Sequence, residues 1–234
     1  MRIRPVVLAA ALFALGAAWL GMPPSYASSS PPMNVADLVR HSSAIVVGTV
    51  ASVTQSSEPG QLPYTQVQVK VSETITGRRA PDGTLTFRQF GLQTPLPSAS
   101  GRRYVGLLAG MPTYHAGDQV VLFLGRTSSI GLRTTAGLQQ GKFVARAGNL
   151  QNEVNNSGLF RDLSFTGRTL SDKEAAMVET KEGAVAVDTF LGLVRRAVNE
   201  HWWDTAQTPR PGQPKRNPGS PSGPKRAALV GVTP

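Results

Sequence analysis

The chain has 234 residues, of which 40% are hydrophobic, and it contains 24 glycines, 18 prolines and no cysteine. The lack of cysteine excludes disulfides, thiolate metal sites and cysteine nucleophiles. The formal net charge is +10, but seven bases lie near the two ends, so the middle is nearly balanced, with 17 bases and 14 acids. Nucleic-acid binding would require bases gathered on one folded face and interleaved with aromatic residues, and this distribution does not favour it.

Residues 1–27 are predicted to be a secretory signal peptide. Arg2 and Arg4 form its charged start, an apolar run of about 16 residues follows, and small residues up to Ala27 offer a cleavage site. The apolar run is shorter than the ~20 residues that cross a bilayer, so cleavage is favoured over an uncleaved anchor. We therefore expect an exported protein, periplasmic or extracellular, with no transmembrane helix after cleavage.

The composition divides the remaining chain into four parts. Residues 28–33 are a linker, and residues 34–160 carry the strand patterns of a β domain. Residues 161–204 are expected to form a helical extension. Residues 205–234 are rich in proline, glycine and bases with few large apolar residues, which predicts a disordered basic tail.

The hydrophobic pattern predicts a short helix first, with Asn34 as its N-cap. Strands are then expected over Ala44–Thr54, Tyr64–Glu73, Thr84–Phe90, Gln119–Leu124, Ser129–Thr135 and Gly141–Arg146, with a last hairpin in Gln151–Phe160. Gly48 interrupts the first strand and indicates a bend. Ser171 and Glu174 have the spacing of a capping box, and a longer helix is expected over Val185–Trp203.

These elements indicate a mainly β fold. The predicted architecture is a small antiparallel Greek-key barrel of the oligonucleotide/oligosaccharide-binding (OB) type, with a short N-terminal helix and a C-terminal helical extension.

Four stretches carry a resemblance to a known family. They are a helix segment, the first strand, the end of the second strand and a later glycine-led strand: Asp37–Val39, Ile45–Val50, Val69–Gly77 and Ala116–Leu124. Their pattern resembles that of the netrin-like domains, which include the tissue inhibitors of metalloproteinases, and is similar to that of cysteine-free barrels in exported bacterial proteins. The resemblance covers roughly residues 34–147. It implies an OB-type barrel and a secreted metalloprotease as partner, but the inhibitors chelate zinc through an N-terminal cysteine that this chain lacks.

The longest irregular stretch, residues 91–117, is the predicted binding surface. Arginine and tyrosine are enriched where proteins meet partners, because they combine apolar area with directional hydrogen bonds. The alternative interpretation is a solvated loop whose arginines aid solubility. The predicted partner-binding residues are Arg102, Arg103, Tyr104, Tyr114 and His115.

No motif indicates catalysis, a metal or a cofactor. His41, His115 and His201 lack metal-ligand spacing, and there is no G-x-S-x-G elbow, P-loop or dinucleotide fingerprint. We therefore predict no catalytic, metal or cofactor residues. The expected function is that of an exported, non-enzymatic protein that binds another exported protein, a metalloprotease being the first candidate. The alternatives are an exported hydrolase, or a structural envelope protein whose basic tail makes weak contact with anionic surfaces.

Overall fold

The structure is a computed structural model, which describes residues 31–58, 61–94 and 106–203. The predicted signal peptide, half of the predicted linker and the predicted basic tail lie outside these ranges. No helix in the described ranges has the length and apolar character needed to cross a membrane.

Seven strands and three α-helices make up the described part of the chain. The strands are β1 Ala44–Ser56, β2 Tyr64–Thr76, β3 Thr84–Phe90, β4 Gln119–Leu124, β5 Lys142–Arg146, β6 Asn149–Asn152 and β7 Val185–Ala186. The helices are α1 Val35–His41, α2 Asp172–Val178 and α3 Val187–Asn199, with a 3-10 turn at Leu138–Gly141. All strand pairings are antiparallel, in the order β3-β2-β1-β4-β5-β6-β7.

The mainly β fold class is confirmed, but the prediction of a closed barrel is wrong. The strands form one open sheet, with β3 and β7 at its edges. The strand predicted over Ser129–Thr135 is also wrong, because this segment contains a turn at Gly131 and meets its neighbours only at isolated points, such as the Arg133 N–H that donates to the Arg88 carbonyl of β3 at 2.7 Å. Ser128 N–H donates to the Leu132 carbonyl at 2.8 Å, and only single bridges tie Leu132 to Arg88 and Thr135 to Leu124.

The hairpin predicted within Gln151–Phe160 is replaced by a compact turn. Asn155 and Asn156 adopt left-handed φ angles of 55° and 54°. Asn156 Oδ1 accepts from the Asn152 N–H at 2.9 Å, and Asn152 Oδ1 accepts from the Asn156 N–H at 2.7 Å. The hairpin in this region joins β5 to β6 instead, through Ala147 and Gly148, whose positive φ angles are typical of a tight two-residue turn.

The side chains of β1 face two separate hydrophobic clusters. Because successive side chains of a strand point to opposite faces, Ala44, Val46 and Val50 lie in one cluster and Ile45 lies in the other. The helix-side cluster joins Ile45 to side chains of all three helices and of β4 and β5. The loop-side cluster joins Val46 to side chains of β2, β3 and β4 and to Tyr114.

The helix α3 fills the centre of the helix-side cluster. The Phe190 ring is fully buried and lies 5.2 Å from the Phe143 ring and 6.3 Å from the Phe123 ring, measured between centroids. Val185 of β7 pairs with Leu150 of β6 just before the helix begins. The region predicted as a helical extension therefore shares its core with the sheet.

The helix ends follow the capping signals in the sequence. Asn34 Oδ1 accepts from the Asp37 N–H at 2.9 Å, which confirms the predicted N-cap of α1. The capping box at α2 is also confirmed, since Ser171 Oγ accepts from the Glu174 N–H and Glu174 Oε2 accepts from the Ser171 N–H. The longer helix is shorter than predicted, because it begins at Val187 and ends at Asn199.

Gly48 lies at a shift of register between β1 and β2, where the pairing steps from Val47 to Gly48. A Cβ atom added at Gly48 would overlap the Lys70 carbonyl oxygen of β2. The predicted bend is therefore a β-bulge that needs a residue without a side chain.

We expect Gly48→Ala to lower the free energy of unfolding by about 2 kcal/mol, because the two strands must separate to admit the methyl group. Urea denaturation measures this change. Gly192→Ala is the matched control, because α3 leaves open space around that position. It should raise stability by about 0.5–1 kcal/mol, since alanine favours helix over glycine. Equal effects of the two variants would contradict the bulge.

A bidentate ion pair fixes α3 to β2. Arg195 Nε and Nη2 donate to the two carboxylate oxygens of Glu73 at 2.7 and 2.6 Å. The hydrogen bonds from Arg195 hold the pKa of the Glu73 carboxyl below its usual value. The side chains are 42% and 35% exposed, so solvent screens the pair and limits its contribution to stability.

Because the pKa of Glu73 is lower in the folded chain, its contribution to stability is present above the unfolded value of about 4.3 and is lost as the pH falls through the folded value. We expect Glu73→Gln to reduce stability by about 0.5–1 kcal/mol at pH 7. The difference from the original chain should shrink below pH 4. Thermal unfolding across this pH range measures the stability difference, with Glu182→Gln as the control. A difference that stays constant with pH would rule out this role of the ion pair.

Candidate functional site

The loop of residues 91–117 begins and ends at the sheet, and a close backbone contact near its beginning fixes its base. Leu92 and Gly106 form a parallel β-bridge across it. Gly91 has a φ angle of 91°, and a Cβ atom there would lie 2.9 Å from the Gly106 carbonyl oxygen. The beginning of the loop therefore meets its middle, at Gly106, at a point where only glycine fits. Arg102, Arg103 and Tyr104, three of the predicted partner-binding residues, lie outside the described residues.

Glutamine side chains hold the returning half of the loop. Gln93 Nε2 donates to the Tyr114 carbonyl at 2.9 Å, and Gln93 Oε1 accepts from the Tyr114 N–H at 2.5 Å. The buried Gln89 donates to the Pro112 carbonyl at 2.9 Å, and Gln55 Oε1 accepts from the Thr94 N–H at 2.9 Å. These side chains replace the regular pairing that an irregular segment lacks.

Tyr114 is part of the loop-side cluster and is only 1% exposed. Its ring packs edge-on against Phe87, with centroids 5.6 Å apart, and its buried hydroxyl has no hydrogen-bond partner among the described residues. Burial raises the pKa of the Tyr114 phenol far above its usual value, so the ring stays neutral. The residue anchors the loop to the core, and this position does not match the surface role predicted for it.

His115 lies at the surface, next to the buried anchor. Its side chain is 72% exposed, and its Nδ1 is 3.5 Å from Asp118 Oδ2. It is available to a partner, and its role in binding stays a prediction.

Lys142 is a buried charge beneath the loop. Its side chain is 3% exposed, its Nζ donates to the Thr113 carbonyl, and the same atom lies 3.3 Å from Glu153 Oε1 and 4.0 Å from Asp118 Oδ2. Glu153 Oε1 also accepts from the Thr113 N–H at 3.0 Å. A buried ammonium requires such partners, and these contacts fix the loop to β5 and to the turn after β6.

The sequence pattern did not single out Lys142 or the glutamines. Lys142 begins a short strand, GKFVAR, in which a lysine is usually solvated, and only the return of the loop over β5 buries it. Each of the three glutamines has at least one polar neighbour in the sequence: Gln55 lies between Thr54 and Ser56, Gln89 follows Arg88 and Gln93 precedes Thr94. No local signal distinguishes those that accept a loop backbone.

The structure gives a histidine–carboxylate contact between His115 and Asp118. Three cavities lined by described residues contain neither of these two side chains. Within residues 31–58, 61–94 and 106–203 there is also no group of three or more His, Asp or Glu side chains suited to a metal ion. His41 lies at the end of α1, where its Nδ1 is 2.8 Å from the Asp37 carbonyl oxygen and so already has a hydrogen-bond partner.

Comparison of the chain with protein-family models, with curated proteins and with solved structures found no match.

We expect Lys142→Met to lower the free energy of unfolding by about 2–3 kcal/mol, because it leaves Glu153 and the Thr113 carbonyl without their shared donor. Urea denaturation measures the loss. The control is Lys173→Met, which changes an exposed lysine of α2 and should alter stability by less than about 0.5 kcal/mol. If Lys142→Met were as mild as the control, the buried ion cluster would not be what holds the loop.

Proposed function

We propose that this chain is an exported, non-enzymatic binding protein that contacts another exported protein through the loop of residues 91–117. The observation that supports it is the fixed base of this loop, where Leu92 meets Gly106 and Gln93 holds the Tyr114 backbone. Binding residues are often carried by loops that a rigid scaffold positions.

The chemistry of the loop suggests how a partner is held. Between the two anchored ends the sequence supplies Arg102, Arg103 and Tyr104, which offer forked donors and an amphipathic ring. The exposed His115 adds a polar group at the described end of the loop. Such a set suits a protein surface with carboxylates or free carbonyl groups.

A secreted metalloprotease is the first partner to test, by the netrin-like resemblance of residues 34–147. The likeness of β1 to β4 to an OB-type Greek-key arrangement belongs to the same proposal. It is supported by the two bridges that link Leu132 to β3 and Thr135 to β4. Any inhibition would have to use side chains of the loop, because the chain lacks the cysteine on which the family's zinc chelation depends.

The proposal predicts that the triple variant Arg102→Ala/Arg103→Ala/Tyr104→Ala loses its partner. We expect recovery of that partner from the secreted fraction to fall at least about tenfold, as for the loss of several interface anchors. Quantitative pull-down measures the recovery. Binding of purified secreted metalloproteases to the immobilised chain then tests the suggested partner class.

The double variant Arg79→Ala/Arg126→Ala is the control, since it removes the same positive charge from two exposed positions that lie near the start of β1, at the opposite end of this strand from the loop. It should recover the partner as well as the original chain does. Equal recovery by the triple variant would remove the loop from consideration. Equal loss in both variants would show that net charge alone attracts the partner.

A further inference from the structure

A cavity of about 230 Å³ lies at the end of the loop-side cluster, away from the 91–117 loop. It opens between the start of β1, the end of β2, the turn that leads into β3 and the segment that follows β4. Its apolar lining comes from Ala44, Val46, Val71 and Leu85, which all belong to the loop-side cluster or pack against it. The cavity therefore has an apolar wall that continues into the core.

Arg133 supplies a fixed positive charge to this cavity. Its Nε donates to the Gly125 carbonyl at 2.8 Å, and its Nη2 donates to Ser43 Oγ at 3.0 Å. Among the described residues no carboxylate pairs with it. Burial lowers the pKa of the Arg133 guanidinium, because desolvation disfavours its charged form.

Arg78 supplies a second charge from the turn between β2 and β3. Gly77, just before it, has a φ angle of 94°, and a Cβ atom there would lie 2.7 Å from the Ser43 carbonyl oxygen. This close approach lays the turn against the start of β1 and brings Arg78 to the cavity. Within the described ranges Arg78, like Arg133, has no ion-pair partner.

Three hydroxyl residues complete the polar part of the lining, and one of them is Ser43, whose Oγ accepts from Arg133. Thr74 comes from the end of β2, and Thr127 comes from the segment after β4. The cavity thus joins guanidinium and hydroxyl donors to an apolar wall, and its lining contains no acidic residue.

We propose that this cavity binds a small organic carboxylate, with the carboxylate on Arg78 and Arg133 and its apolar chain against Val46 and Leu85. The guanidinium fork matches the geometry of a carboxylate and remains charged at neutral pH. The volume is below the roughly 300–1,000 Å³ of pockets for drug-sized ligands, so the ligand is small. An inorganic anion would satisfy the arginines but leave the apolar wall uncovered. The site is independent of the proposed binding loop.

Titration of the full chain with hexanoate tests the proposal, with binding followed through the amide resonances of Ser43 and Thr74. Hexanamide, which has the same chain without the charge, and inorganic phosphate, which has the charge without the chain, are the comparison ligands. We expect hexanoate to bind and to shift these resonances. Hexanamide and phosphate should each bind at least about tenfold more weakly.

Arg78→Gln is the test variant, because Arg78 is exposed and makes no contact on which the fold depends. It should weaken hexanoate binding about tenfold, since it removes one charge-assisted interaction. Arg79→Gln is the matched control. Arg79 is the next residue of the same turn but lines a neighbouring cavity instead, and its loss should leave binding unchanged.

Three outcomes would overturn the site: hexanamide binding as tightly as hexanoate, phosphate binding more tightly than hexanoate, or equal losses in the two arginine variants. A final comparison distinguishes the source of the carboxylate. If N-acetyl-leucine binds more tightly than hexanoate, and its amide does not bind, the ligand is the carboxyl end of a peptide. The reverse order assigns the site to a free short-chain acid. Both results support a carboxylate site.

Discussion

The structure depends on β1, because this one strand contributes to two hydrophobic clusters at the same time. Ile45 faces the cluster that contains α3, and Val46 faces the cluster that contains Tyr114. A slip of one residue in its pairing would exchange the two sets of side chains, so its register with β2 and β4 is strongly constrained. The bulge at Gly48 fits this constraint, since it lets the strand bend without leaving either partner.

The two proposed sites lie at opposite ends of β1. The start of the strand, at Ala44, borders the cavity. Val50 exchanges backbone hydrogen bonds with Gly117 and Asp118 at the end of the loop, and Gln55 holds Thr94 at its beginning. At ~3.3 Å per residue, Ala44 and Val50 are separated by about 20 Å. Substitutions at one site therefore need not disturb the other.

Local patterns in the sequence were sufficient for strands β1 to β5 and for the helix caps, but not for the closure of the sheet. Val67, Val69 and the capping residues Asn34 and Ser171 act through neighbours that are close in sequence, so alternation and spacing reveal them. Whether β3 pairs with a further strand depends on how the segment after β4 folds. The turn at Gly131 limits their contact to the bridge between Leu132 and Arg88. The choice between strand pairing and a turn in this segment leaves no periodic pattern in the sequence.

The candidate site also combines a feature that could be predicted from the sequence with features that could not. Its location in a long loop could be predicted from the breakers and polar residues of the stretch. The burial of Tyr114 could not, because the residue sits in an irregular segment and only the returning chain brings it to Phe87. Lys142 likewise becomes a buried residue only when Thr113 and Glu153, 29 and 11 positions away, arrive beside it.

The position of α3 has a consequence for the order in which the chain folds. The helix-side cluster contains Val35, near the beginning of the described residues, and Ala197, near their end. During synthesis the apolar faces of β4 and β5 are made long before the helix that covers them. Contacts of such large sequence separation form slowly and leave intermediates with exposed apolar surface. The core is therefore complete only when the segment that contains Phe190 has packed on β4 and β5, and a chain that stops before α3 would leave their apolar faces exposed.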